Sequence, residues 1–159
     1  MTFPVSNHVA AMQGSSTLIA AQMAAELRAQ GVDVIDLSVG EPDFDTPEFI
    51  KQYAWEGLES GYTKYTATAG LLEFRNAIVD FYGTRFDADL RANEIAASCG
   101  GKQALFNAAC TLLNIGDDVL IPKPYWVTFP AIAAFCGANS VFIDTEETDF
   151  ILTAQQVAD

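Results

Sequence analysis

Two adjacent glycines and a lysine, Gly100, Gly101 and Lys102, form the segment of the sequence with the clearest chemical meaning. The small residues 95–99 before them predict a strand, and the apolar spacing of residues 102–113 predicts a helix. Where a strand leads into a helix, backbone N–H groups and the helix dipole favour an anion, and glycine lets that anion approach the backbone. The pattern indicates a phosphate-binding turn, and a flexible turn without a ligand fits the same spacing equally well.

The turn belongs to neither of the common nucleotide-binding motifs. No G-x-G-x-x-G occurs, and Gln103 stands where a P-loop has a hydroxyl residue. Lys102 is unusual because a cation in the first turn of a helix opposes the helix dipole. An anionic ligand would explain this lysine, and a solvated side chain is the alternative.

An aromatic residue, Trp126, follows the next predicted strand, residues 119–121. Parallel sheets bind ligands at the carboxyl ends of their strands, so we expect Trp126 at the same sheet edge as Gly100 and Gly101. An indole in that position can stack on a heteroaromatic ring, or it can belong to the packing of the core.

Two further segments are weaker candidates for a site. Gly40 opens a turn that contains acids and a proline, and Tyr65 lies in a polar loop. A solvated turn and a surface aromatic are the simpler interpretations of both. The sequence has a single histidine, His8, which lies near the N-terminus outside all of these segments and therefore argues against Ser-His-Asp, Cys-His and histidine-rich metal sites.

The order of the predicted elements indicates an α/β fold with a mainly parallel sheet and flanking helices, because strands and helices alternate with short connections. Helix starts and ends are marked by Ser15 or Ser16, Thr46-Pro47, Thr153 and several glycines. The predicted helices cover residues 16–30, 47–60, 71–81, 102–113, 126–135 and 153 onwards, and the predicted strands cover 34–37, 95–99, 119–121 and 141–143.

Composition excludes several classes of protein. Half of the residues are apolar, and 8 basic against 21 acidic residues give a net charge of −13. This balance argues against a nucleic-acid surface. The three cysteines, Cys99, Cys110 and Cys136, lack C-x-x-C spacing and predict reduced, buried thiols without a metal. With no signal peptide and no membrane span expected, the sequence predicts a cytoplasmic protein.

Five segments together resemble the class I/II aminotransferases, enzymes of fold type I that use pyridoxal 5'-phosphate, and most closely the aspartate aminotransferase group. The segments keep the order and spacing of that family, which makes them more specific together than any one alone. They are Leu37–Phe44, Tyr62–Tyr65 with Gly70, Gly100–Leu105, Asn114–Val119 and Pro124–Val127.

The resemblance implies a role for each cofactor-binding candidate. Gly101 and Lys102, together with Gly100, would offer backbone N–H groups to the cofactor phosphate. Trp126 would stack on the pyridine ring and border the substrate. Tyr65 would reach the phosphate bound by the neighbouring subunit, which implies a homodimer.

The resemblance also implies the substrates, an amino acid and a 2-oxo acid. Gly40 would contact the amino acid through its backbone, and Lys102 would bind a distal carboxylate. Aspartate or another dicarboxylic amino acid is therefore the expected donor.

No catalytic residue is expected within this chain. None of its four lysines matches the lysine that forms a Schiff base with the cofactor in this family. The resemblance therefore implies an N-terminal part of the enzyme, incomplete at the C-terminus and inactive alone. Residues 1–45 would form an N-terminal arm and small-domain segment, and residues 46–159 the first part of the large domain. The alternatives are a non-catalytic phosphate-binding remnant and another fold-type-I enzyme, such as a carbon–sulfur lyase.

Overall fold

The structure is a computed structural model that describes residues 4–10 and 14–158. Its helices and strands follow the sequence in the order α1 to α7 and β1 to β2. They are α1 (Asn7–Ala10), α2 (Ser16–Ala29), α3 (Glu48–Glu59), α4 (Leu72–Phe86), α5 (Gly101–Leu112), β1 (Asp118–Lys123), α6 (Thr128–Phe135), β2 (Asn139–Asp144) and α7 (Ala154–Ala158), with short 3-10 helices at Ala92–Glu94 and Glu146–Thr148.

These residues form two compact units. Unit 1 takes its residues from 1–41 and 106–159, and unit 2 consists of residues 42–105. The predicted division of the complete protein at residue 45 stays a prediction.

The core of unit 1 is a strand–helix–strand arrangement. Strands β1 and β2 are parallel, from Asp118 opposite Asn139 to Lys123 opposite Asp144. Parallel neighbours need a crossover, and α6 supplies it while packing on both strands. Ile121 and Ala133 are almost completely buried between these elements. The predicted strands over 119–121 and 141–143 are confirmed, as is the helix between them.

Two helix ends in unit 1 follow the predicted local signals, but the predicted serine cap of α2 is wrong, because Ser15 is the N-cap residue and its side chain makes no capping hydrogen bond. Gly31 has φ +83° directly after α2, a backbone conformation that favours glycine. At the start of α7, the amide of Gln156 donates to Thr153 Oγ1 at 3.3 Å. The amide of Thr153 donates in return to Gln156 Oε1 at 3.0 Å. This reciprocal pair is a capping box, and it confirms the predicted cap at Thr153.

Unit 2 contains α3 and α4, with a loop over residues 61–70 between them. The predicted helices and loop are confirmed, but α3 begins at Glu48 with Pro47 as its N-cap residue. The expected hydroxyl cap from Thr46 is therefore wrong, because the helix starts one residue later than predicted.

The predicted strands over 34–37 and 95–99 are wrong. Both segments are irregular, and among the described residues only β1 and β2 pair in a sheet. Apolar runs resemble strands, but a strand also needs a neighbour that accepts its hydrogen bonds. Ile35 and Leu37 are also 85% and 90% exposed, so neither side chain packs into a core.

Two further properties concern surfaces. Cys99 and Cys110 are exposed and Cys136 is half-buried, so the prediction of buried thiols is wrong for the first two. Within the described ranges, no helix combines the length and apolar character needed to cross a membrane.

Candidate functional site

The glycine turn of unit 2 has a well-defined shape. Gly100 has φ +82° and α5 begins at the next residue, Gly101. The Gly100 amide donates to the Ser98 carbonyl at 2.8 Å, and the Ala104 amide donates to the Gly100 carbonyl at 3.2 Å. The Cys99 amide donates to the Gln103 side chain at 2.6 Å. Gly100 is therefore held in a conformation that other residues rarely adopt.

The space beside this turn suits an anion. A Cβ atom added at Gly100 or Gly101 would meet no other atom within 4 Å. The first N–H groups of an α-helix have no acceptor within the helix, and they point out of its N-terminus. An anion such as a phosphate ester can approach the backbone here without meeting a side chain, so the turn fits the phosphate expected from the sequence.

Tyr65 lies in the loop of unit 2, with its side chain fully exposed. The end of this loop contacts the segment that leads to the glycine turn. The Ala97 amide donates to the Ala69 carbonyl at 2.9 Å, and a Cβ atom on Gly70 would lie 2.7 Å from the Cβ of Ala97. Only glycine allows these two backbones to approach so closely.

Arg75, near the start of α4, strengthens the same junction. Its Nε donates to the Gly70 carbonyl at 3.3 Å. Its guanidinium also donates to the Ala92 carbonyl at 2.7 Å. The sequence alone did not single out Arg75. It carries the same signal as Lys102, because a cation near the start of a helix opposes the helix dipole.

Gly40 lies in unit 1, two residues after a hydrogen-bonded turn. The amide and hydroxyl of Ser38 donate to Asp36 Oδ1 at 3.0 and 2.6 Å. The Arg28 guanidinium lies 3.5 Å from Asp36 Oδ2 and donates to the Val34 carbonyl. The hydrogen bonds from Ser38, and less strongly the charge of Arg28, lower the pKa of Asp36 below its ordinary value. A Cβ atom on Gly40 would also meet open space.

Trp126, also in unit 1, follows β1 and the cis bond between Lys123 and Pro124. Trp126 is 42% exposed, and its ring touches the Phe129 ring edge-on, with ring centroids 5.7 Å apart. The neighbouring Tyr125 instead stacks on Phe142 at 4.9 Å. Tyr125 thus contributes to packing on β2, while part of the indole stays accessible.

The structure therefore distributes the predicted site residues over two units. Unit 2 holds Tyr65, Gly100, Gly101 and Lys102, where Lys102 is the second residue of α5. Unit 1 holds Gly40 and Trp126. The predicted sheet edge shared by Trp126 and the glycine turn is wrong, because residues 95–99 before the turn are irregular and only β1 and β2 pair in a sheet among the described residues.

Comparison with known proteins shows to which class the fold and the glycine turn belong. Residues 32–159 match the family model described as aminotransferase class I and II, and the chain belongs to this family. The expected fold, part of fold type I of the pyridoxal phosphate enzymes, is confirmed by its structural neighbours.

Three individual proteins show how similar the chain is to members of this family. A probable aspartate/prephenate aminotransferase of Rhizobium leguminosarum is 45% identical over 141 residues, which cover 88% of this chain and 35% of the relative. An aspartate aminotransferase of a Bacillus species is 38% identical over 96% of this chain and 39% of its own length. The structure of aspartate aminotransferase from Thermus thermophilus with maleate has a TM-score of 0.90 and 39% identity, covering 98% of this chain and 41% of its own. The chain thus spans about two fifths of their length.

Proposed function

We propose that this chain is the phosphate-binding part of an aminotransferase that uses pyridoxal 5'-phosphate to move an amino group between an amino acid and a 2-oxo acid. The observation that carries the proposal is the glycine turn. Gly100 at φ +82° leads into the first turn of α5, and open space lies beside both glycines. Membership of the aminotransferase family supports the same reaction class.

The cofactor would be held by groups on three segments. The backbone N–H groups of Gly101 and Lys102 would bind the phosphate, joined by that of Gly100 once it leaves the Ser98 carbonyl, and the accessible face of Trp126 would lie against the ring. When bound, the cofactor withdraws electrons from the substrate's α-carbon. The chain's own contribution is to hold and orient that ring, because no lysine here matches the family's cofactor-linked lysine.

A second copy of the protein would complete the phosphate site. The Tyr65 hydroxyl donates to the phosphate bound by the neighbouring subunit, which makes the complete protein a homodimer. Tyr65 is fully exposed, so its hydroxyl is accessible to a second subunit. A cytoplasmic location stays the prediction of the sequence.

The substrate would be a dicarboxylic amino acid, with aspartate as the first candidate. The Lys102 ammonium binds the distal carboxylate, and the backbone of Gly40 contacts the rest of the molecule. A local cation is valuable in a chain with net charge −13, because that charge otherwise repels a dicarboxylate. The Thermus neighbour, described with maleate, also binds a dicarboxylate.

Substitution of Gly101 tests phosphate binding. Gly101→Asp places a carboxylate in the first turn of α5, where it favours the helix but repels a phosphate. Gly101→Asn is the matched neutral control, and neither side chain meets an atom at its Cβ. Repulsion at about 5 Å amounts to roughly 1–3 kcal/mol per unit charge, so we expect Gly101→Asp to weaken binding about 5- to 150-fold.

The measurement is a titration of the purified chain and its variants with pyridoxal 5'-phosphate, followed by absorbance and by tryptophan fluorescence. Equal affinities for the Asp and Asn variants would refute the phosphate turn. Binding with the expected ranking, together with no amino transfer by the complete protein, would favour the non-catalytic remnant.

Substitution of Lys102 tests the substrate. In the complete protein, Lys102→Met keeps the length of the side chain and removes its charge. We expect kcat/KM to fall by at least about tenfold for aspartate and to change little for alanine, because only aspartate has a distal carboxylate. An unchanged ratio would contradict the dicarboxylate assignment, and elimination of a thiol from cysteine conjugates without amino transfer would favour a carbon–sulfur lyase.

A further inference from the structure

Two cysteines far apart in sequence meet in unit 1. The sulfur atoms of Cys110 and Cys136 lie 3.8 Å apart. Cys110 is in the last part of α5 and is exposed, whereas Cys136 is the C-cap residue of α6 and is half-buried. Neither residue has a role in the proposed aminotransferase site.

An aromatic contact holds one side of this pair. The rings of Phe106 and Phe135 lie with their centroids 4.9 Å apart. Phe106 is one helical turn before Cys110, and Phe135 immediately precedes Cys136. The two helix segments that carry the sulfurs are therefore packed against each other at this level.

Backbone contacts hold the other side. The Gly116 amide donates to the Gly137 carbonyl at 2.9 Å, and the Asn139 amide donates to the Asp117 carbonyl at 2.7 Å. Gly137 has φ +77°, and a Cβ atom there would lie 3.0 Å from the side chain of Ile115. The chain after α5 and the chain after α6 thus approach closely, and Cys110 and Cys136 lie between two sets of fixed contacts.

We propose that Cys110 and Cys136 form a redox modification site, which hydrogen peroxide converts into a reversible disulfide. A disulfide needs the sulfurs about 2.05 Å apart, so side-chain rotation has to shorten the present separation by less than 2 Å. The aromatic and backbone contacts on either side keep the backbone in place while this happens. Cys99 belongs to unit 2 and takes no part in the bond.

The reaction balances with peroxide as the oxidant. The exposed Cys110 thiolate attacks one peroxide oxygen and the O–O bond breaks, which gives a sulfenic acid and, after protonation, one water molecule. The sulfur of Cys136 then attacks the Cys110 sulfur, the S–O bond breaks, and a second water leaves with the Cys136 proton. Two thiols lose two electrons and two protons, and peroxide is reduced to two water molecules.

The surroundings of Cys110 suit the first attack on peroxide, and those of Cys136 suit the later closure of the disulfide. Burial, and then the neighbouring Cys110, raise the pKa of the Cys136 thiol. A thiol that stays protonated is the poorer first nucleophile, so the exposed Cys110 reacts first and Cys136 closes the bond. Reversible pairs of this kind are the form in which disulfides occur in reducing compartments.

The test is peptide mapping of the chain after brief treatment with hydrogen peroxide and alkylation of the remaining thiols. We expect a peptide pair linked through Cys110 and Cys136, loss of two hydrogens, an alkylated Cys99 and full reversal by dithiothreitol. Alkylation of both paired thiols after treatment, or a link that contains Cys99, would overturn the proposal.

Three single variants add a measurement of rate. Cys99→Ser should form the intramolecular bond within about twofold of the wild-type rate, independently of protein concentration. Cys110→Ser and Cys136→Ser should abolish it, and any disulfide that they form should depend on protein concentration. Equal intramolecular oxidation in Cys99→Ser and Cys136→Ser would also refute the assignment. The peptide mapping of the wild-type chain tests the proposal even if a variant fails to fold.

Discussion

Replacement of Gly70 by alanine tests the contact between the tyrosine loop and the segment that leads to the glycine turn. Gly70 combines φ +93° with a close approach, since an added Cβ would lie 2.7 Å from the Cβ of Ala97. Gly61, at the other end of the same loop, has φ +82° with nothing within 4 Å. Gly61→Ala is therefore a matched control that contains the backbone strain and lacks the clash.

The expected loss of stability has two contributions, the backbone strain and the steric clash. An alanine in the left-handed region costs about 1–2 kcal/mol. Carbon atoms normally pack at about 3.5–4.0 Å, so Gly70→Ala also forces the two segments apart by roughly 1 Å, an overpacking that costs about 1–3 kcal/mol. We expect the free energy of unfolding to fall by about 1–2 kcal/mol for Gly61→Ala and by about 2–5 kcal/mol for Gly70→Ala.

Urea unfolding, followed by circular dichroism and by fluorescence, measures both variants. The Ala97→Gly background completes a double-mutant cycle, because it removes the atom that the new methyl group meets. Gly70→Ala should cost about 1–3 kcal/mol less in that background than in the wild type. Equal losses for Gly70→Ala and Gly61→Ala, with no rescue by Ala97→Gly, would refute the close approach of residues 70 and 97.

Three further predictions concern individual side chains whose hydrogen bonds hold local structure. Arg75→Met keeps the aliphatic stem but removes both hydrogen bonds to carbonyls, and it should lower the free energy of unfolding by about 1.5–3 kcal/mol, with Arg75→Lys in between. Asp36 has a lowered pKa, so its stabilising contribution is complete above the usual value of 3.8 and is lost as pH falls through the lower folded value. Unfolding measured between pH 5 and about pH 2 should therefore show a decline that Asp36→Asn weakens, and identical slopes would contradict it. Thr153→Ala removes the capping hydroxyl of α7 and should speed amide hydrogen exchange of residues 156–158 about 2- to 30-fold, whereas Thr153→Ser should not.

Apart from the paired strands β1 and β2, the features that the sequence predicted correctly depend on residues close together along the chain. The capping box at Thr153 involves a partner three residues away, and Gly31 ends α2 through its own backbone freedom. The short hydrogen bonds within the turn at Gly100 are equally local. Such features can be predicted from the sequence because each residue and its partner lie within about one helical turn of each other.

The remaining features were decided by partners far along the chain. Arg75 reaches Ala92, 17 residues away, and Cys110 meets Cys136, 26 residues away. The predicted strand over 95–99 failed for the same reason, since pairing rather than apolar character makes a strand, and the segment makes a single bond to the loop through Ala97. Residue type and spacing thus determined the helices, the glycine turn and the family. Tertiary structure decided which segments pair and which thiols meet, because those contacts depend on how the intervening chain folds back.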